Sequence, residues 1–293
     1  MKISSDLFDA FLKCSTKCWL RAAGEPALGN PYAEWMKSQN GSYQVREIER
    51  LLLETPSSDV AISPTPENMK AAKWRLGTNL TACARMNMCI LESEVQAVER
   101  APCKGRGRPP QFIPIRFIST NRVSRDDKLL LAFESFVLSE ATRRKITFGK
   151  IIHGDDHSAM KVRTSALSGN VRKCIERIAE LLSKPTPPEL VLNRHCGECE
   201  FQIRCRQKAI EVDDLSLLSG MTEKERKKLH SKGIFTVTQL SYTFRPRRRP
   251  KRMRDKREKY HASLKARWPS ATENHPKVLW QPKRSRPRRT SCL

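Results

Sequence analysis

Three cysteines within ten residues, in "NRHCGECEFQIRCRQKA" (193 to 209), constrain this chain more than any other feature. Cys196, Cys199 and Cys205 follow the spacing Cys-x2-Cys-x5-Cys. Thiolates are soft ligands suited to zinc and to iron-sulfur clusters, and both ordinarily take four protein ligands. The missing ligand must come from a distant segment, so the fold has to bring that segment back to this loop. Two arrangements compete. In the first, Cys14-x3-Cys18 and Cys196-x2-Cys199 make a four-thiolate zinc site and leave Cys205 idle. In the second, Cys196, Cys199 and Cys205 join one N-terminal cysteine around a four-iron, four-sulfur (4Fe-4S) cube.

A disulfide framework is the weaker explanation of ten cysteines in 293 residues, because a chain of this length can bury a sufficient core without cross-links. No apolar signal segment follows "MKISSDLFDAFLK", and no run approaches the roughly 18 apolar residues of a membrane span. These features predict a soluble, cytoplasmic protein with no membrane partner. In a reducing compartment the clustered thiols read as metal ligands. Cys83, Cys89, Cys103, Cys174 and Cys292 read as buried or incidental thiols.

The formal charge of +25, from 56 basic and 31 acidic residues, points to a polyanionic partner, with DNA (or RNA) foremost. The excess is uneven. "SYTFRPRRRPKRMRDKREKY" (241 to 260) holds ten Lys and Arg against two acidic residues. Arg245, Arg247, Arg248, Arg249, Lys251, Arg252 and Arg254 are therefore the candidate phosphate contacts. A membrane-surface role would need large apolar residues opposite the charges, and between Phe244 and Tyr260 only Met253 qualifies.

Periodicity predicts one helix from Ser4 or Ser5 past Cys14, a second from about Tyr32 to Leu53, and a third from near Met69. "ILESEVQAVER" and "QFIPIRFIST" read as strands on either side of the turn "CKGRGRPP". Three further segments follow: the helix "RDDKLLLAFESFVLSEATRR", the short strand "FGKIIHG" and the helix "SALSGNVRKCIERIAELLSK". This order predicts an α/β core with a helical cap. Beyond the cysteines, "DDLSLLSGMTEKERKKLHSKGIFTVTQLS" fits two short helices, either as a packed cap or as a helix-hairpin-helix-like unit offering backbone N–H groups to phosphates. Residues 1–208, 209–243 and 244–293 are thus expected to form a core domain, a helical unit and a basic, largely disordered tail.

A lone cysteine after an N-terminal helix, in "LFDAFLKCSTKCWL", with Cys-x2-Cys-x5-Cys near the domain's end, resembles the iron-sulfur RecB-like nucleases, including AddB-type and CRISPR-associated ones. The segments "DKLLLAF", "GKIIHG", "VLNRHCGECEFQIRCRQKA", "DDLSLLSGMTEKERKKL" and "GIFTVTQLSYTFRPRRRPKR" look like a family of RecB-like putative nucleases. The resemblance implies a restriction-endonuclease-like core of the PD-(D/E)xK type. It also implies a 4Fe-4S cluster on Cys14, Cys196, Cys199 and Cys205, with Cys18 a non-ligand at a position where an aromatic is usual. Family members commonly continue into a further RNase H-like domain, so the resemblance implies truncation here and a helicase or further nuclease domain as partner.

Such nucleases place an Asp on one strand and an acidic-x-Lys on the next, where carboxylates bind Mg2+ and the lysine orients the attacking water. Here those positions fall near Gln96, Arg116 and Ile118, and "KLLLAFESF" lacks the family's Gln-x3-Tyr. Weak substitutes are Glu92, Glu94, Asp127 and Lys128, and Mg2+ or Mn2+ is expected only if cleavage survives. Alternation predicts Glu92 and Glu94 on one sheet face and Glu99 on the other. "IIHGDDH", with His153, Asp155, Asp156 and His157, reads as a polar strand-end turn or a metal cluster. Two functions stand open: a DNA nuclease with a degenerate active site, and a catalytically silent iron-sulfur DNA-binding module.

Overall fold

The computed structural model describes residues 1–71, 73–101 and 110–243. The chain divides into two compact units, Met1–Val212 and Asp213–Leu293. The first is an α/β unit on a mixed sheet of seven strands. These are β1 (Lys2–Ser4), β2 (Val60–Ile62), β3 (Leu76–Met86), β4 (Cys89–Ala101), β5 (Gln111–Ile118), β6 (Gly149–His153) and β7 (Ser158–Val162). Their order is β2-β3-β4-β5-β6-β7, with β1 also beside β4. The helices of this unit are α1 (Ser5–Lys13), α2 (Ser15–Ala22), α3 (Pro31–Glu54), α4 (Arg125–Thr142), α5 (Ser168–Ser183) and α6 (Gln202–Glu211). No helix among the described residues is long and apolar enough to cross a membrane.

The sheet forks at β4. One edge of this strand pairs in parallel with β1 over Ile90–Glu92, then antiparallel with β5 over Ala97–Ala101. Residues 93 to 96 lie between those two partners. Opposite them on β3, Asn79 adopts φ 54°, a left-handed conformation that reverses which way the following side chains point. Leu76 accordingly packs with Tyr43, Ala97, Ile115, Phe117 and Ile152 beneath α3. Leu80 instead packs in the large core with Phe8, Leu91, Val95, Val98 and Phe133, on the side of α1, α4 and α5. The same reversal on β4 brings Glu99 to the side of Glu92 and Glu94, against the expectation from simple alternation.

Helix α4 is the central element, with eleven of its eighteen residues buried. It starts sharply because Ser124 and Asp127 form a reciprocal cap: Asp127 N–H donates to Ser124 Oγ (3.1 Å) and Ser124 N–H donates to Asp127 Oδ2 (2.8 Å). Two expectations are corrected. The third helix near Met69 is only a short 3-10 turn over Asn68–Ala71, and the chain then enters β3, whose buried Leu76, Thr78, Leu80, Ala82 and Ala84 alternate. The opening helix breaks at Cys14, whose extended backbone (φ −167°, ψ 125°) separates α1 from α2. The turn expected at 103–110 lies largely outside the described residues.

In the second unit, α7 (Glu223–His230) and α8 (Val237–Tyr242) close over Leu215, Leu218 and Leu240. A buried pair, Arg226 Nη2 to Asp214 Oδ2 at 2.7 Å, ties α7 to the incoming chain. The N-terminus of α7 is already answered from within. Glu225 N–H donates to Thr222 Oγ1, and Glu225 Oε2 accepts from Thr222 N–H and Oγ–H. Glu223 also lies in this first turn, where an acidic side chain is favoured by the helix dipole. The candidate phosphate contacts Arg245 to Arg254 lie outside the described residues.

Candidate functional site

Two cavities of the first unit hold the chemistry, and one helix reaches both. The first is lined by Cys14, Cys196, Cys199 and Cys205, with Lys17, Asn193, His195 and Gln202 among their neighbours. Cys14 is delivered by the break between α1 and α2. Cys196 and Cys199 lie in and just after a 3-10 turn over Arg194–Glu198, and Cys205 sits on α6. Asn193 fixes the approach from both sides. Its Nδ2 donates to the Lys13 carbonyl at 3.1 Å, answering an open end of α1, and its backbone N–H donates to Cys196 Sγ at 3.2 Å.

Charge and amide contacts hold the loop independently of any ligand. Glu200 accepts from Lys17 (2.9 Å) and Arg21 (2.6 Å) of α2. Burial alone would raise the Glu200 carboxyl, but the Lys17 and Arg21 contacts override it and bring it down to about 2. Asn30 caps α3 by accepting from Tyr32 and Ala33 N–H, while its Nδ2 reaches the carbonyls of Gly197 (3.0 Å) and Cys199 (3.1 Å). Desolvation raises the thiols of Cys196 and Cys199 and pushes Cys205 up to about 11.

Cys18 lies elsewhere. It is fully buried in the large core and does not line this cavity, and burial pushes its thiol up to about 12. Among the described residues, no group of three or more His, Cys, Asp or Glu side chains is gathered so as to hold a metal ion. The four cysteines line one cavity, and in their chemistry four soft donors suit either zinc or an iron-sulfur cluster. His153, Asp155, Asp156 and His157 do not form an ion-binding group either. His157 Nδ1 meets the buried Glu47 at 2.5 Å, and Asp156 accepts from Ser158 at 2.5 Å.

The second cavity is a cleft of about 560 Å3 at the fork, lined by Asp6, Asp9, Lys37, Gln44, Glu94, Gln96, Arg116 and Glu134 among others. Gln96 bridges the parting strands. Its Oε1 accepts from Phe117 N–H at 2.7 Å and its Nε2 donates to Gln44 at 3.0 Å. Arg116 Nη1 donates to Glu134 Oε1 at 2.5 Å, and Glu134 is 1% exposed. Burial raises the Glu134 carboxyl while Arg116 pulls it the other way. Arg116 Nε and Glu134 Oε2 are both buried without a hydrogen-bond partner. Ile118 lies in the apolar cluster with Leu131, Ile151 and Val162.

The weak carboxylate candidates separate by position. Glu94 lines the cleft. Glu92 instead pairs with Lys2, Asp127 caps α4, and neither it nor Lys128 lines the cleft. Asp6, Asp9 and Glu134 were missed by reading strand by strand, since α1 and α4 bring them to the fork.

No protein-family model matches the chain, and no curated protein does. Among solved structures it is similar to SSO0001, with a TM-score of 0.41 and 12% identity, covering 71% of this chain and 86% of that one. A likeness so slight carries neither a fold assignment nor a function.

Proposed function

We propose that this chain is a RecB-like, restriction-endonuclease-like protein that binds DNA or RNA, is clasped by a 4Fe-4S cluster on Cys14, Cys196, Cys199 and Cys205, and cleaves slowly or not at all. The observation that carries the reading is the fork cleft, where Arg116 engages the buried Glu134 and Gln96 commits its amide to Phe117 N–H and Gln44. Mg2+ is a hard ion bound through one or two carboxylates, substrate phosphate and water. A neutral amide and a guanidinium give it no anchor, and the nearest buried carboxylate is engaged by that guanidinium. Arg116 and Lys37 are instead suited to phosphate.

The cysteine cavity favours the one-plus-three set over the competing zinc site, because that zinc site needs Cys18 and Cys18 lies in the large core. Bound there, the cluster would link the α1–α2 break to α6 as a structural clasp. A second reading rests on Asp6, Asp9 and Glu94 in the same cleft: a nuclease with relocated carboxylates using Mg2+ or Mn2+. A helicase or further nuclease domain as partner belongs to either reading.

The test is incubation of single- and double-stranded DNA with cluster-loaded full chain and either metal, beside Glu94→Ala and Asp6→Ala. The expected result is salt-sensitive binding, with a log-log slope of about −0.9 per neutralised phosphate on duplex, and little cleavage. Replacing Arg247, Arg248 and Arg249 by Ala flattens that slope. Robust cleavage abolished by Glu94→Ala or Asp6→Ala establishes the nuclease instead.

A further inference from the structure

Helix α3 is long, yet of its twenty-four residues only Tyr43 and Glu47 are buried. Residues 37 to 42 are exposed on every side of the helix, more than a full turn. This middle stretch lays no apolar face on the body; it meets it through a polar contact, Asn40 Oδ1 accepting from Ser119 N–H and Oγ–H. Both ends are held. Asn30 anchors the first turn to Gly197 and Cys199, and Tyr43 Oη donates to the Gly154 carbonyl at 2.9 Å. Lys37, between these anchors, and Gln44, just past the second, face the fork cleft.

Near its start the helix displays two aromatics. Tyr32 and Trp35 are 50% and 54% exposed, with ring centroids 5.8 Å apart and planes within 26°. Neither belongs to a hydrophobic cluster of the described residues. The helix then runs "WMKSQNGSYQVR", which contains Lys37 and Arg46 and no carboxylate between Glu34 and Glu47. Gly41 lies mid-helix, where glycine weakens a helix relative to alanine. A Cβ at Gly41 would meet nothing within 4 Å, so no neighbour in the fold requires the bare backbone. Close approach of a ligand is one use of such a position.

We infer that the exposed face of α3 is a binding surface for single-stranded nucleic acid, with bases stacking on Tyr32 and Trp35 and the strand following Lys37 and Gly41 to the cleft at Gln44. This deepens the nucleic-acid reading above and rests on it. Aromatic platforms select single strands because unpaired bases expose their faces, whereas duplex bases are already stacked. Lys37 offers a phosphate contact on the helix, and because Asp6, Asp9 and Glu94 share the cleft with Lys37 and Gln44, the stacked rings carry most of the affinity. The anchored helix presents the rings already ordered, which lowers the cost of binding.

The experiment is fluorescence anisotropy of the full chain at one fixed moderate salt. The probes are a labelled oligothymidine of about twenty nucleotides and a duplex of equal length, longer than the site of a typical single-strand-binding module. Trp35→Ala and Tyr32→Ala are each expected to weaken oligothymidine binding by about tenfold, the loss of one stacked base, and to leave duplex binding within about twofold. Trp35→Phe keeps most of the affinity. Both residues are exposed, and circular dichroism of each variant checks that α3 is intact. If wild type binds both probes and Trp35→Ala changes neither, or weakens both equally, the α3 surface is refuted while nucleic-acid binding stands. If wild type binds neither probe, both readings fall together.

Discussion

Arg116 and Glu134 show how much one side-chain exchange governs. Both face a cleft on the fork, and Glu134 is almost wholly buried. Removing one partner of a buried ion pair strands the other charge at a cost of about 3–5 kcal/mol, whereas replacing both by apolar residues is often nearly neutral. Arg116→Ala is therefore expected to destabilise the fold by about 3 kcal/mol or more at pH 7, and Arg116→Met with Glu134→Leu by far less. The pH dependence has a definite sign. Burial already raises the Glu134 carboxyl, and without Arg116 nothing opposes it. The folded state then holds a proton that the unfolded chain, near pH 4.3, releases. Stability of Arg116→Ala thus falls as pH rises through the window above 4.3, and part of its deficit against wild type closes on going from pH 7 to pH 5. Urea denaturation at the two values measures this, and a deficit independent of pH would contradict it.

Among the elements, α4 separates a structural carboxylate from a functional one. Asp127 stands at the opening of the helix and completes the cap with Ser124. Such caps contribute about 0.5–2 kcal/mol. Asp127→Ala should lower the unfolding free energy by about 1 kcal/mol and leave nucleic-acid affinity unchanged. A variant of wild-type stability that loses affinity or cleavage would make Asp127 a site residue after all. Helices α1 and α2 carry a related lesson. Their apolar pattern continues across residue 14, and the break becomes visible only when Asn193, nearly 180 residues away, supplies a donor to the Lys13 carbonyl.

At the scale of the molecule, the first unit closes a loop from Cys14 to Cys205 around one cavity. Glu200, Lys17, Arg21, Asn30 and Asn193 hold that closure through direct contacts. Ligation as proposed would add to it, because metal affinity gained only in the folded state is folding free energy. Purified anaerobically, the protein should absorb near 400 nm. Single Cys→Ala changes at 14, 196, 199 and 205 should each bleach it and lower the thermal midpoint, while Cys18→Ala keeps the colour. Cys18→Ala removes a fully buried thiol from the large core, so its own stability loss is a packing effect, distinguishable because the chromophore remains. A colourless protein with one zinc, lost on Cys18→Ala, would establish the zinc site.

The helices α3, α4 and α5 and the strands β4, β5 and β6 were legible in the sequence, because each carries its period or its turn residues locally. The charge imbalance and the cysteine spacing were equally plain. The short β1, β2 and β7 were not, since three to five residues hold too little pattern to stand against their neighbours. β3 was not read either, although its buried Leu76, Thr78, Leu80, Ala82 and Ala84 alternate without a break. Residue spacing left open whether Cys18, one helical turn after Cys14, is a ligand beside it, and only the family resemblance set Cys18 aside. Only the fold turned Cys14 into the cavity and Cys18 into the core, by breaking the helix between Lys13 and Ser15. The cleft has the same origin: Asp6, Gln44, Glu94, Arg116 and Glu134 come from five elements, and their meeting depends on how the sheet forks, a long-range outcome of packing that no local pattern encodes.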